Sequence, residues 1–188
     1  MGFEDECWFS RFERTSVHSW SGDGEPVRLL EKAPSKDDPE PKALACYGLY
    51  LPGIGETWLR FVDGRPVSSV TTQFLGYCTD KLAAAGKEAL LLIWDNASWH
   101  KSKEVRDWIA AHNREVKANG SEAGVRIVAC LLPKKSPWLN PIEPKWVHGK
   151  RKVTEPERLL GAYELADRVC GVFGCAHEEH LSLPQEVA

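Results

Sequence analysis

Six apolar residues in succession, Ala89-Leu90-Leu91-Leu92-Ile93-Trp94, run straight into Asp95-Asn96. A run this dense, with no polar alternation, reads as a strand buried on both faces in the middle of a sheet covered by helices. Open α/β sheets build their ligand sites beyond the carboxyl ends of such strands, which places Asp95 where chemistry is usually found. A second reading stays open on these residues alone: Asp95-Asn96 as a turn and helix-cap signal following a core strand.

The flanking segments suit a sheet with helices over it. Phe3 to Phe9, Ala43 to Leu51 and Thr57 to Val62 read as strands, the last two joined as a hairpin through Pro52-Gly53-Ile54-Gly55. Residues 21–42 are turn formers and charges, a surface excursion with a short strand at Val27 to Leu30. Thr71 to Ala85 and Lys101 to Ala118 carry apolar residues at helical spacing and are closed by Gly86 and by Asn119-Gly120. Val125 to Leu132 reads as another buried strand. Asn140 suits a helix N-cap, with Pro141 at the first position and Glu143 at the third; Thr154 and Glu157 form a second capping box ahead of a last helix over Glu155 to Phe173. The expected architecture is α/β: an antiparallel meander, then parallel strands, in one mixed sheet flanked by helices. It occupies residues 1–175, and residues 176–188 form a tail with no readable signal.

Charge narrows the class of partner. The net charge of −3 divides into −5 over residues 1–95 and +2 over residues 96–188. Lys134, Lys135, Lys145, Lys150, Arg151 and Lys152 stand against the single acid Glu143 in residues 134–152. Such a patch suits nucleic acid at one face, and it equally suits a solvated helix end. With 43% hydrophobic and 27% charged residues the profile is that of a soluble globular domain. No apolar run approaches a membrane span, and the acidic start Met1-Gly2-Phe3-Glu4-Asp5-Glu6 is unlike a signal peptide, so a cytoplasmic location without membrane partners is expected. Six scattered cysteines with no Cys-x-x-Cys pair point to reduced core thiols.

The segment Leu132-Pro133-Lys134-Lys135-Ser136-Pro137-Trp138-Leu139-Asn140-Pro141-Ile142-Glu143-Pro144-Lys145-Trp146 resembles the Leu-Pro-x-x-Ser-Pro-x-Leu-Asn-Pro-Ile-Glu-x-x-Trp signature of transposases with an Asp-Asp-Glu triad, in particular bacterial insertion-sequence relatives of mariner. Asp95-Asn96-Ala97-Ser98-Trp99-His100 is similar to that family's second motif, and Asp5-Glu6-Cys7-Trp8-Phe9 to its first. The resemblance implies a ribonuclease H-like fold in which Asp5, Asp95 and Glu143 are the catalytic acids and the ligands of two Mg²⁺ or Mn²⁺ ions. It implies DNA strand cleavage and transfer at insertion-sequence ends, by a homodimer acting at the bacterial nucleoid. Glu143 as a capping-box residue explains the same position without chemistry.

The chemistry of the residues agrees with the resemblance. In-line phosphodiester displacement is served by two ions roughly 3.5–4 Å apart that stabilise the attacking and leaving oxygens, and such hard ions take carboxylate ligands. Three carboxylates converging without an ion are expected to repel one another. The basic residues of 134–152 would hold phosphates without reading sequence. Asn96, His100 and Asn140 are auxiliary candidates; His100 is placed to touch a phosphate, to assist proton transfer, or simply to be structural. Two departures stand out. The family carries helix-turn-helix modules ahead of the first aspartate, where this sequence has four residues, and the interval from Asp95 to Glu143 is longer than usual, with the excess around Asn113 to Gly124. The first departure leaves three expectations: a transposase domain working with a partner that carries the missing module, an inactive fragment that binds DNA or a full-length partner, or a metal-dependent nuclease of the same fold.

Overall fold

A computed structural model describes residues 1–12, 19–20, 26–27, 37–119, 124–153 and 158–183. Its centre is a six-stranded sheet in the order β7-β6-β1-β4-β5-β8. The strands are β1 (Gly2–Ser10), β4 (Ala43–Leu51), β5 (Glu56–Asp63), β6 (Ala89–Trp94), β7 (Arg126–Leu131) and β8 (Leu181–Ser182); β2 (Ser19–Trp20) and β3 (Pro26–Val27) pair separately. β1, β4 and β5 form the antiparallel meander, while β6 and β7 run parallel to β1. This is the expected ribonuclease H-like mixed sheet.

Helices α1 (Ser68–Ala84), α2 (Lys103–Asn119), α3 (Glu143–Val153) and α4 (Ala162–Phe173) cover it. On α1 the buried Val70, Phe74, Cys78 and Leu82 recur every four residues. That single stripe packs on Tyr47, Leu49, Leu90, Leu92 and Trp94 of one sheet face. The other face carries a second cluster in which Ile142, just ahead of α3, Trp146 of α3 and Leu165 and Val169 of α4 pack with Phe9, Cys46 and Phe61. Trp146 crosses β4 at Gly48, where a Cβ would lie 2.4 Å from the indole. Gly48 in turn pairs with Asp5 in the β1–β4 register, so a missing side chain opens the path from α3 to the first aspartate. A rigid ring cannot yield by an ångström, and Gly48→Ala is expected to cost about 1–3 kcal/mol, as overpacking does. For a domain of this size that is about 2–4 °C in melting temperature per kcal/mol, readable in a thermal melt.

Four expectations are corrected. β6 is not buried on both faces: Leu91 is 40% exposed and Ile93 half-buried, because the cluster under α3 and α4 takes no residue from β6 or β7 among the described residues. The same uncovered area leaves Val128 50% exposed and Cys130 exposed, so not every thiol is a core thiol, although none of the six is in a disulfide. The last helix begins at Ala162 and not at Glu155, and residues 158–161 are not helical. Its start is set from outside, by Glu40 Oε1 accepting from the Ala162 amide at 3.1 Å and by Arg11, which binds the Leu160 carbonyl at 2.6 Å and pairs with Asp38 and Glu40. Thr154 and Glu157 lie outside the described residues, as do positions 28–30 of the strand expected at Val27 to Leu30. Finally, the segment read as a tail supplies β8, which pairs with Val62 and Asp63 at the edge of the sheet.

The α2 helix extends to Asn119, and Asn113 inside it satisfies an exposed strand edge: its side chain bonds both the amide and the carbonyl of Ile127 at 2.8 Å. Among the described residues no helix is long and apolar enough to cross a membrane.

Candidate active site

A cleft of about 420 Å³ opens at the carboxyl end of β6, lined by Asp5, Asp95, Asn96, Lys101, Lys134, Lys135, Asn140 and Glu143 among others. Three elements deliver the acids. Asp5 comes from the middle of β1, Asp95 follows β6 directly, and Glu143 opens α3. A carboxylate in the first turn of a helix meets the positive end of its dipole, so Glu143 is at home structurally as well.

Each acid is held by neighbours. Trp146 donates Nε1–H to Asp5 Oδ2 at 3.0 Å. Asp95 Oδ1 accepts from the Ala97 amide at 2.7 Å and faces His100 Nδ1 at 2.9 Å. Asn140 is buried and ties the start of α3 to β1, donating Nδ2 to the Glu4 carbonyl at 3.1 Å while Oδ1 accepts from the Ile142 amide. It is not the N-cap of a helix beginning at Pro141, because α3 begins only at Glu143; it instead fixes the turn ahead of Glu143 to β1 beside Asp5. Asn96 donates to the Leu132 carbonyl at 2.5 Å, which closes β6 against the segment leading to Lys134 and Lys135. Lys135 holds a left-handed backbone, φ 57°, the only non-glycine residue to do so among the described residues.

The three acids are not electrostatically alike. Burial, the Glu143 charge and the Glu6 charge push Asp5 up to about 7, against the Trp146 hydrogen bond. The His100 hydrogen bond, outweighing partial burial, holds Asp95 below the usual carboxylate range. The expected mutual repulsion therefore falls on Asp5, while Asp95 is already compensated.

His100 is not where a phosphate could reach it. It is 2% exposed and does not line the cleft; Nε2 lies 3.2 Å from both Glu4 Oε2 and Glu6 Oε1. Burial alone would lower the imidazole, but the Glu4 charge and hydrogen bonds to Asp95 and Glu6 push it up to about 11. Burial and the Glu6 charge push Glu4 well up. The donor atoms of Glu4, Glu6 and His100 lie within 4.8 Å of one another, a spacing that could hold an ion in competition with the imidazole proton. Asp5, Asp95 and Glu143 are not grouped this closely; they line an open cleft with room for bound water, and their carboxylate oxygens are the donor type that hard divalent ions take.

The basic residues divide. Lys134, Lys135 and the unforeseen Lys101 line the cleft, whereas Lys145, Lys150, Arg151 and Lys152 lie along α3 outside it, Lys145 Nζ resting 4.0 Å over the Tyr50 ring. Sequence reasoning also missed Glu4, Glu6 and Gly48 and gave Trp146 no role. Glu6 and Trp146 stood inside the quoted motifs, whereas nothing local marks Gly48.

The pattern of the family described as DDE superfamily endonuclease matches residues 2–164. None of the curated proteins matches the sequence. Solved structures similar to this chain include the Mos1 transposase paired-end complex with left transposon end, at 16% identity and a TM-score of 0.63 over 95% of this chain and 48% of that one. The Mos1 strand transfer complex, at 14% identity and 0.62, covers 93% and 47%. The Mos1 mariner paired-end complex with Mn, at 15% and 0.62, covers 95% and 49%. The chain thus spans about half the length of these transposase chains.

Proposed function

This chain belongs to the DDE superfamily of endonucleases, and from that membership we propose that it is the catalytic domain of a transposase that cuts and joins DNA at the ends of a bacterial insertion sequence. The observation that carries the reading is the convergence of Asp5, Asp95 and Glu143, from three separate motifs, on one cleft bordered by lysines. The three acids would hold two Mg²⁺ or Mn²⁺ ions, which supply charge stabilisation at the attacking and leaving oxygens. A similar structure is a Mos1 complex with Mn, which supports the choice of ion. Trp146 orients Asp5, His100 and the Ala97 amide orient Asp95, and Asn140 holds Glu143 at the head of α3. Lys101, Lys134 and Lys135 would bind the phosphates flanking the scissile bond. Recognition of element ends would fall to a helix-turn-helix module outside this domain, in the same protein or a partner, with a homodimer bringing two ends together in the cytoplasm.

Incubation of the protein with supercoiled plasmid tests this: nicked circles should accumulate with Mn²⁺ or Mg²⁺ and not with EDTA. Absence of any metal-dependent nicking, with the protein folded and bound to DNA, would favour an inactive domain. Nicking without joining of a 3′-hydroxyl end would favour a nuclease of the same fold.

DNA binding has its own expected outcome. Phosphate contacts release counterions, so log affinity falls with log salt by about 0.9 per contact. Replacing Lys134 and Lys135 with Ala should flatten that slope by up to about 2, measured by fluorescence anisotropy on a nonspecific duplex in a KCl series. An unchanged slope would remove the cleft lysines from the interface.

A further inference from the structure

We propose that His100 is a positioning residue, a brace that sets the separation of Asp5 and Asp95 from behind the sheet. The inference rests on the reading of both aspartates as metal ligands. Parallel pairing between β1 and β6 covers only Gly2 with Leu92 and Phe3 with Ile93. It stops two residues short of both Asp5 and Asp95, so no main-chain ladder fixes the distance between the strands where the acids stand.

His100 fills that gap. One ring nitrogen, Nδ1, lies 2.9 Å from Asp95 Oδ1; the other, Nε2, lies 3.2 Å from Glu6 Oε1 and 3.2 Å from Glu4 Oε2. Trp99 donates Nε1–H to the same Glu6 oxygen at 2.6 Å, which fastens the turn after β6 to β1 a second time. The imidazole stacks on Trp94 with centroids 4.5 Å apart and planes at 12°, and meets Trp99 edge-on, so the ring has no freedom to swing. Side chains alternate along a strand, so Glu4 and Glu6 point to the face opposite Asp5. The brace therefore grips the residues on either side of the first aspartate and the carboxylate of the second, without entering the cleft.

The arrangement is costly as pure architecture. Glu4 is fully buried, and neither carboxylate oxygen has a hydrogen-bond partner among the described residues, although Oε2 lies against His100. Buried ion pairs seldom repay their desolvation in stability. A cross-link that holds two ligands at a set distance accounts for an acidic residue on each side of Asp5. Partners that orient ligands in this way typically contribute about 10–100-fold to metal affinity.

The test uses His100→Asn, whose amide nitrogen can replace Nδ1 toward Asp95 but is too short to reach Glu4 or Glu6. Mn²⁺ binding is read by electron paramagnetic resonance of free Mn²⁺ at a temperature where wild type and variant are both folded, and plasmid nicking is read across the same Mn²⁺ series. The brace predicts a Mn²⁺ midpoint raised about 10-fold or more, nicking that recovers part of its rate in excess Mn²⁺, and DNA affinity equal to wild type. If His100→Asn does not fold, Glu6→Gln keeps an acceptor for Trp99 and removes the charge, and a smaller shift in the same direction is expected. A folded variant with a lower melting temperature but an unchanged Mn²⁺ midpoint overturns the brace, since only stability has moved. Loss of DNA affinity at an unchanged midpoint overturns it in favour of phosphate contact. An ion retained by wild type through EDTA dialysis and lost from His100→Asn overturns it by making His100 a ligand. Wild type that takes up no Mn²⁺ defeats the metal reading itself, an outcome distinct from all of these.

Discussion

Asp95→Asn and Glu143→Gln should each lower metal-dependent plasmid nicking by about 10³-fold or more, which corresponds to about 4 kcal/mol of transition-state stabilisation. Both substitutions keep size and shape. Asn at 95 can still accept from the Ala97 amide, and Gln at 143 still occupies the first turn of α3. What each loses is a negative oxygen facing the cleft, and with it the ability to hold hard divalent ions in register with a phosphate. The circular dichroism spectrum should be unchanged, which separates loss of chemistry from loss of fold. Nicking by either variant at the wild-type rate would remove these acids from the site.

Millimolar Mn²⁺ should raise the melting temperature of the wild-type protein by about 5–10 °C at pH 8. Ions bind only the folded cleft, and at a hundred times the dissociation constant they stabilise it by about 2.7 kcal/mol, with about 2–4 °C for each kcal/mol in a domain of this size. The pH dependence follows from Asp5, whose folded pKa is raised to about 7 from its ordinary 3.8. A raised acid binds its proton more tightly in the folded state, so its contribution to stability is fully present below about pH 4 and is lost as pH rises through 7. Without metal, this group therefore weakens the fold between pH 6 and pH 8. With metal, the ion must displace that proton at pH 6 but not at pH 8, so the shift should be larger at pH 8. Asp5→Asn in EDTA should be more stable than wild type at pH 8 and should respond little to Mn²⁺. Asp95→Asn should gain nothing in EDTA, because His100 already compensates Asp95. Equal metal shifts in wild type and Asp5→Asn, measured by differential scanning fluorimetry, would show that the ions bind elsewhere.

The strands and helices that carry strong local patterns were legible in the chain. Ala43 to Leu51 and Thr57 to Val62 alternate or run apolar between turn residues, and the apolar stripe of α1 repeats with the helical period, so propensity and burial agree there. That Asp5, Asp95 and Glu143 line one cleft could be expected from the chain because each sits in a recognisable motif, Asp5 within β1, Asp95 just after β6 and Glu143 at the head of α3. Burial on the second face of β6 was not, since a run of apolar residues says nothing about which neighbours arrive to cover it. Nor was the start of α4, which Arg11 and Glu40 define across more than a hundred residues of chain.

Chemical identity came from the sequence: carboxylates of the right type, in order, with lysines near the third, because metal and phosphate chemistry select residue types that leave a local trace. The tertiary structure alone decided how those groups differ from one another. Asp5 is raised and Asp95 lowered because one is desolvated beside the Glu143 and Glu6 charges while the other faces an imidazole anchored on β1. Charge environment depends on through-space distance, which falls outside any local pattern. A histidine five residues from Asp95 and two glutamates flanking Asp5 become one network only when β6 and β1 are laid side by side.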